Sequence, residues 1–359
     1  MSNTTQAFKN TQPNTQLNFE NNNLQDNIGF YNLNMKKLSD MIKYLNENNR
    51  SFYENFELQE FIGDGITGVV YKGKSTNPNN KQTFSFKFNL KNNNRKDKYH
   101  EIYYHKMLHH TYICPILAFY KINHVQFFSV SEYGKYGDLS NLLEKYLKRK
   151  NISETFVNYL AKPILEALNY MHKLKLIHMD IKKANIIIDS DFNPKLIDFS
   201  STFSFEKYAP NDIIKLPMLG TGRYMSPEIL NKQEIEIKYG DKIDVYSLGV
   251  TLYNLLFGIF PYGLNAIQGN NYEQIKEHLK TAKLEFPSNC EVSENCKNFF
   301  KNTLAKDYKE RYNVKEALED PWIKGWDYII EEKENIEISE NFIIKLISDN
   351  IPEFNKYNR

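Results

Sequence analysis

His178-Met179-Asp180-Ile181-Lys182-Lys183-Ala184-Asn185 places a carboxylate, two ammonium groups and an amide within eight residues. An aspartate there could accept the proton of an attacking hydroxyl. A lysine two residues on could meet phosphate charge, and the oxygen of an asparagine five residues on could bind a hard cation. The stretch lies between a helical run ending near Leu174 and a short apolar run, Ile186-Ile187-Ile188. A polar turn between a helix and a strand would use the same residue types, so the loop alone leaves both readings open.

Other segments carry groups that would complete such a site. Phe56 to Ile62 alternates as a strand does; Gly63-Asp64-Gly65-Ile66-Thr67-Gly68 follows, and Val69-Val70-Tyr71 begins a second strand. Dinucleotide-binding folds share this glycine spacing, but there it opens a helix. Here β-branched residues put it at a hairpin tip, where glycine lets the backbone approach a phosphate without a side chain in the way. Gln82 to Leu90 reads as a third strand with Lys87 between apolar residues, a costly position unless the charge is paired. Glu101 is the only carboxylate of a helix expected over 101–109. Lys195-Leu196-Ile197-Asp198-Phe199-Ser200 brings a further aspartate eighteen residues after Asp180, a hard oxygen ligand suited to Mg²⁺.

Together these segments resemble the eukaryotic-type protein kinases, in their serine/threonine-specific branch. The first stretch is similar to the catalytic loop His-Arg-Asp-Leu-x-x-x-x-Asn, with Met179 in place of the arginine. The glycines match GxGxxGxV, and Phe84-Ser85-Phe86-Lys87 matches Val-Ala-Ile-Lys with substitutions. His110-Thr111-Tyr112-Ile113 resembles the His-Pro-x-Ile after the small-lobe helix. Asp198-Phe199-Ser200 stands for Asp-Phe-Gly, and Gly220 to Glu228 resembles the segment ending Ala-Pro-Glu. Gly240 to Gly249 is similar to the start of the large lobe's central helix, and Ala317 to Ile323 to the domain's end. The resemblance covers residues 56–323. It implies an α+β fold of two lobes, an antiparallel-β N-lobe with one main helix (56–131) and a larger, mainly α C-lobe (135–323).

The resemblance also implies roles. Asp180 and Lys182 would be catalytic, and Asn185 and Asp198 would hold Mg²⁺. ATP would lie against Ile62, Gly63, Asp64, Gly65, Gly68, Val70 and Ile187, with Lys87 on its phosphates and Glu101 pairing that lysine. Ser131 falls at the gatekeeper position, and Glu132 and Gly134 form the hinge. Asp138 falls near the ribose, although a plain helix N-cap reads equally well. Thr221 fits serine/threonine specificity, Glu228 would pair with Arg311, and Asp244 would tie the catalytic loop to the central helix. Met179 cannot bind a phosphate as the usual arginine does, and Tyr208 is the only hydroxyl between Glu206 and Gly220. Activity without activation-loop phosphorylation is therefore expected. Basophilic kinases place acids where this chain has Ala184 and Asn254, so arginine-directed substrates are not expected.

The bulk properties set limits. The chain has 359 residues and a net charge of +2, which argues against binding nucleic acid through an overall field. Cys114, Cys290 and Cys296 are scattered, form no CxxC pair and fit a reducing compartment, the cytoplasm or the nucleus. No stretch approaches the roughly 20 apolar residues of a membrane helix. The expected protein is a monomer acting on protein substrates, with a regulatory partner left open. Residues 1–33 are rich in Asn, Gln and Thr and read as disordered. Residues 34–55 form a helical extension with Met35, Leu38, Met41, Ile42 and Leu45 on one face. Residues 324–359 form an acidic tail with a short helix around Phe342, Ile343, Leu346 and Ile347. Met179, Ser200, Ser85 and His105 are departures that a catalytically inactive scaffold of the same fold would also carry, and that alternative stands beside the active enzyme.

Overall fold

The computed structural model describes residues 36–48, 52–65, 68–89, 100–122, 126–147, 152–267, 269–288 and 291–325. The expectations for 1–33, for Met35, for Ile66 and Thr67 and for the tail helix at 342–347 lie outside these residues.

The small lobe is a five-stranded antiparallel sheet, order β1-β2-β3-β5-β4. Its strands are β1 (Phe56–Asp64), β2 (Val69–Ser75), β3 (Thr83–Asn89), β4 (Ile116–Lys121) and β5 (Phe127–Glu132). Alternation along β3 sends Phe84, Phe86 and Phe88 to one face and Ser85, Lys87 and Asn89 to the other. The aromatic face is covered by α1 (Leu38–Asn48) and α2 (Phe52–Asn55), which bury Met41, Tyr44, Leu45 and Phe52. The Phe52 ring lies 5.3 Å from Phe128 and 5.6 Å from Phe86. Each such side chain removed from water contributes about 1.5–3 kcal/mol, so the upstream helices share the sheet's own core. The opposite face carries α3 (His100–Met107). This helix ends two residues short of the expected 109, in a turn where Leu108 N–H donates to His105 O.

The large lobe is mainly helical. α4 (Leu139–Leu147) and α5 (Glu154–Lys173) lead to the short strands β6 (Leu176–Ile177), β7 (Ile186–Ile188), β8 (Pro194–Leu196) and β9 (Phe203–Ser204). Then come β10 (Ile213–Lys215), α6 (Pro227–Leu230), β11 (Glu234–Glu236), α7 (Lys242–Phe257), α8 (Tyr272–Thr281), α9 (Glu294–Thr303) and α10 (Val314–Leu318). α7 is buried on every side and forms the lobe's axis. α5 lays Leu160, Ile164, Leu168 and Met171 against the core. Pro163 lies inside this helix and does not mark its start. α5 runs unbroken from its N-cap Ser153, whose side chain accepts from Phe156 N–H. A helix-interior proline costs about 3 kcal/mol, and a capped start with an extensive buried stripe outweighs that. Among the described residues no helix is long and apolar enough to cross a membrane.

Candidate active site

The stretch 178–185 runs from β6 through a short 3₁₀ turn, Lys183–Asn185, into β7. Buried Asp180 is the hub. Its Oδ2 accepts from Lys182 Nζ at 2.7 Å and from Asn185 Nδ2 at 3.1 Å, and its Oδ1 accepts from Thr221 Oγ1 at 2.9 Å. Lys182 Nζ also donates to Thr221 Oγ1 at 2.9 Å, which closes a ring of three side chains. Asn185 spends its amide hydrogens on Asp180, including the backbone oxygen at 2.7 Å, and this leaves its oxygen for a cation. Gly220 carries φ +100°, and a Cβ there would lie 2.3 Å from Met179 O, so only glycine brings Thr221 this close.

Met179 is 3% exposed with φ +66°, a conformation that needs outside support. Asp244 at the start of α7 supplies it, accepting from Met179 N–H at 2.9 Å and His178 N–H at 2.8 Å. His172 Nε2 donates to the same carboxylate at 2.9 Å. Burial alone would raise the pKa of Asp244, but His172 and these amides outweigh it and hold it low.

A second cluster lies between the lobes. Lys87 Nζ is 2.6 Å from Glu101 Oε1 and 3.1 Å from Asp198 Oδ1. Burial would lower the lysine's pKa, and Asp198 and Glu101 together outweigh it and raise it. Asp198 is held well below the usual carboxylate range against its own burial, chiefly by Lys87. Glu101 is pushed up because its burial exceeds what a shared lysine returns. One cation between two acids leaves net negative charge, which suits a site that receives a further cation. The two clusters are joined through backbone: Ile197 N–H donates to Asn185 O at 3.0 Å, and His178 Nε2 donates to Ile197 O at 3.1 Å. Ser200, in the glycine's place, lies in a 3₁₀ turn with ordinary negative φ, and its side chain bonds Asp198. The backbone at this position therefore needs no glycine.

The glycine segment sits as expected at the tip of the β1–β2 hairpin, with Gly65 N–H donating to Gly68 O at 2.9 Å. A Cβ at Gly68 would lie 2.1 Å from Phe88 O. Gly63 stands opposite Val70, and Val70 opposite Lys87. Asp64 pairs with Lys36 at 3.1 Å, and Ile62 is largely exposed. Ser131 lies opposite Ser85 and Ile116. Glu132, next along, sends its carboxylate to Lys195 at 2.6 Å. Gly134 packs against Ile187 closely enough that a Cβ would come within 2.9 Å. Asp138 bridges to Ile187 through backbone and caps α4, accepting from Ser140 N–H at 2.7 Å and Asn141 N–H at 3.0 Å. Arg311 and Glu228 form a bidentate pair at 2.7 and 3.0 Å, fully buried and remote from the ring around Asp180 in the sequence.

Sequence reasoning missed His172, Lys195 and the close approach at Gly220. Only the Gly220-Thr221 dipeptide next to a functional hydroxyl carried any signal for the last. Among the described residues, no three His, Cys, Asp or Glu side chains gather as metal ligands.

A family model described as the protein kinase domain matches residues 56–323. The chain is 30% identical over 285 residues to serine/threonine-protein kinase TIO of Arabidopsis thaliana, covering 78% of this chain and 20% of that protein. It is 30% identical over 296 residues to the putative serine/threonine-protein kinase R517/R518 of Acanthamoeba polyphaga mimivirus, covering 74% and 62% respectively. Myosin light chain kinase A of Dictyostelium discoideum is 28% identical over 282 residues, with 75% of this chain and 88% of that protein covered. The chain thus spans less than two thirds of the first two relatives.

Proposed function

The chain belongs to the protein kinase family, and from that premise we propose that it transfers the γ-phosphoryl group of ATP to serine or threonine hydroxyls of protein substrates. The ring formed by Asp180, Lys182 and Thr221 carries this reading. A substrate hydroxyl that enters next to Asp180 gives up its proton to Oδ1 or Oδ2 as its oxygen bonds to the γ-phosphorus and the bond from that phosphorus to the β–γ bridging oxygen breaks, with ADP leaving. Lys182 steadies the negative charge on the phosphoryl oxygens, and Thr221 fixes both side chains in place. Lys87, held by Glu101, meets the α- and β-phosphates, and the backbone of the glycine hairpin covers them. Asn185 and Asp198 offer hard oxygens that fit Mg²⁺, which neutralises phosphate charge when bound. Two protein ligands are too few for a closed metal site, so the remaining positions fall to phosphate and water. Little covalent work falls to the protein: positioning and charge neutralisation supply most of the rate.

The buried Met179 supports activity without phosphorylation of the segment before Gly220. Its side chain sits in the core, and Asp244 holds its backbone, so no cation waits there for an activating phosphate. The test is transfer of labelled phosphate from ATP to a generic basic protein by phosphatase-treated enzyme, with the acceptor residue identified. Retained activity and labelled Ser or Thr are expected. Loss of activity that maps to residues 200–220 would sink the independence claim.

A further inference from the structure

Away from this cleft, the C-terminal end of α5, the start of α7 and the start of α10 border an open cavity of about 400 Å³, within the range that takes small ligands. Buried His172 and half-buried Asp241 line it, together with the exposed Lys173, Lys175 and Lys315 and with Asn169. His172 is 8% exposed, and its Nδ1 has no hydrogen-bond partner. Asp241 Oδ1 is likewise buried without one. His172 Nε2 donates to Asp244, a carboxylate that can only accept, which leaves Nδ1 as the ring's unpartnered nitrogen. Asp241 Oδ1 is an acceptor. Burial raises the pKa of Asp241, against the pull of His172 and Lys242. A hydroxyl, which both donates and accepts, can satisfy each of these two buried atoms, and three ammonium groups call for an anion.

We propose that this cavity binds a small hydroxylated phosphate ester, with hydroxyls on His172 Nδ1 and Asp241 Oδ1 and the phosphate among Lys173, Lys175 and Lys315. His172 links this cavity to Asp244 and through it to the backbone of His178 and Met179, whereas the three lysines have no part in the proposed transfer mechanism. Calorimetry on the full chain tests it, with ADP and Mg²⁺ at saturation to fill the nucleotide site. Ribose 5-phosphate is the probe; inorganic phosphate and ribose are the half-ligands. One equivalent of ribose 5-phosphate should bind, about tenfold or more tighter than either half. The triple variant K173A/K175A/K315A should weaken it about tenfold or more while phosphoryl transfer is unchanged. Asp241→Leu should reduce ribose 5-phosphate to the affinity of inorganic phosphate. No binding of the ester, equal binding of inorganic phosphate to wild type, or undiminished binding to the triple variant would overturn the proposal.

Discussion

His105 Nε2 donates to the carbonyl oxygen of Cys114 at 2.6 Å, which ties the helix that carries Glu101 to the segment leading into β4. The same ring lies 4.6 Å from Phe199, the residue after Asp198. His105 thus shares the helix of Glu101 and packs against the neighbour of Asp198, the two acids that pair with Lys87. An apolar side chain at this position could pack against Phe199 but could not make the bond to Cys114.

This burial has a pH signature. Loss of solvation pushes His105 from 6.5 down to about 4. As pH falls through 6.5 the unfolded chain takes up a proton that the folded chain refuses until about 4. Stability that is fully present above 6.5 is thus lost on the way down, by roughly 2 kcal/mol at about pH 5, and the loss levels off below 4. His105→Leu should remove that share of the dependence. Urea midpoints at about pH 7.5 and 5 measure it, and equal differences in wild type and variant would contradict a neutral buried ring.

The Arg311–Glu228 pair lies with both side chains almost wholly out of water. Removing one partner strands a buried charge, so Glu228→Ala or Arg311→Ala should each destabilise by about 3–5 kcal/mol. Replacing both by apolar residues of similar size, Glu228→Leu with Arg311→Met, should cost less than either single change. Chemical denaturation of the four proteins gives the coupling. Additive losses would show that the pair is not a unit.

Ser131 lies near the end of β5, opposite Ser85 and Ile116. With Glu132 and Gly134 as the proposed hinge, a side chain this small would leave room behind an adenine. Adenine-site ligands with a bulky apolar extension should bind the wild type, and Ser131→Phe should reject them by about tenfold or more. Equal affinity for both proteins, read by fluorescence or calorimetry, would move the hinge to other residues.

Much of the site was legible because its parts are local. The Asp180–Lys182–Asn185 spacing fits in one loop, the glycine segment is fixed by the strands on either side, and Lys87 announces itself as a charge in an apolar strand. The rest depends on partners far along the chain. Nothing near residues 38–55 says that Met41, Leu45 and Phe52 would meet Phe86 and Phe128 across the outer face of the sheet. His105 reads as an odd polar residue on a helix until Cys114 O is placed beside it. His172 reads as an ordinary helix residue until Asp244, on another helix, meets it.

The most direct test of the account is single-turnover phosphoryl transfer by wild type and Asp180→Ala, with ATP affinity measured separately on each. In the proposed mechanism Asp180 accepts a proton and does not hold nucleotide, so the variant should keep its ATP affinity within a few-fold while transfer falls by about 10²–10⁴. A wild type that binds ATP and Mg²⁺ but transfers nothing, or an Asp180→Ala variant that transfers as fast as wild type, would contradict it.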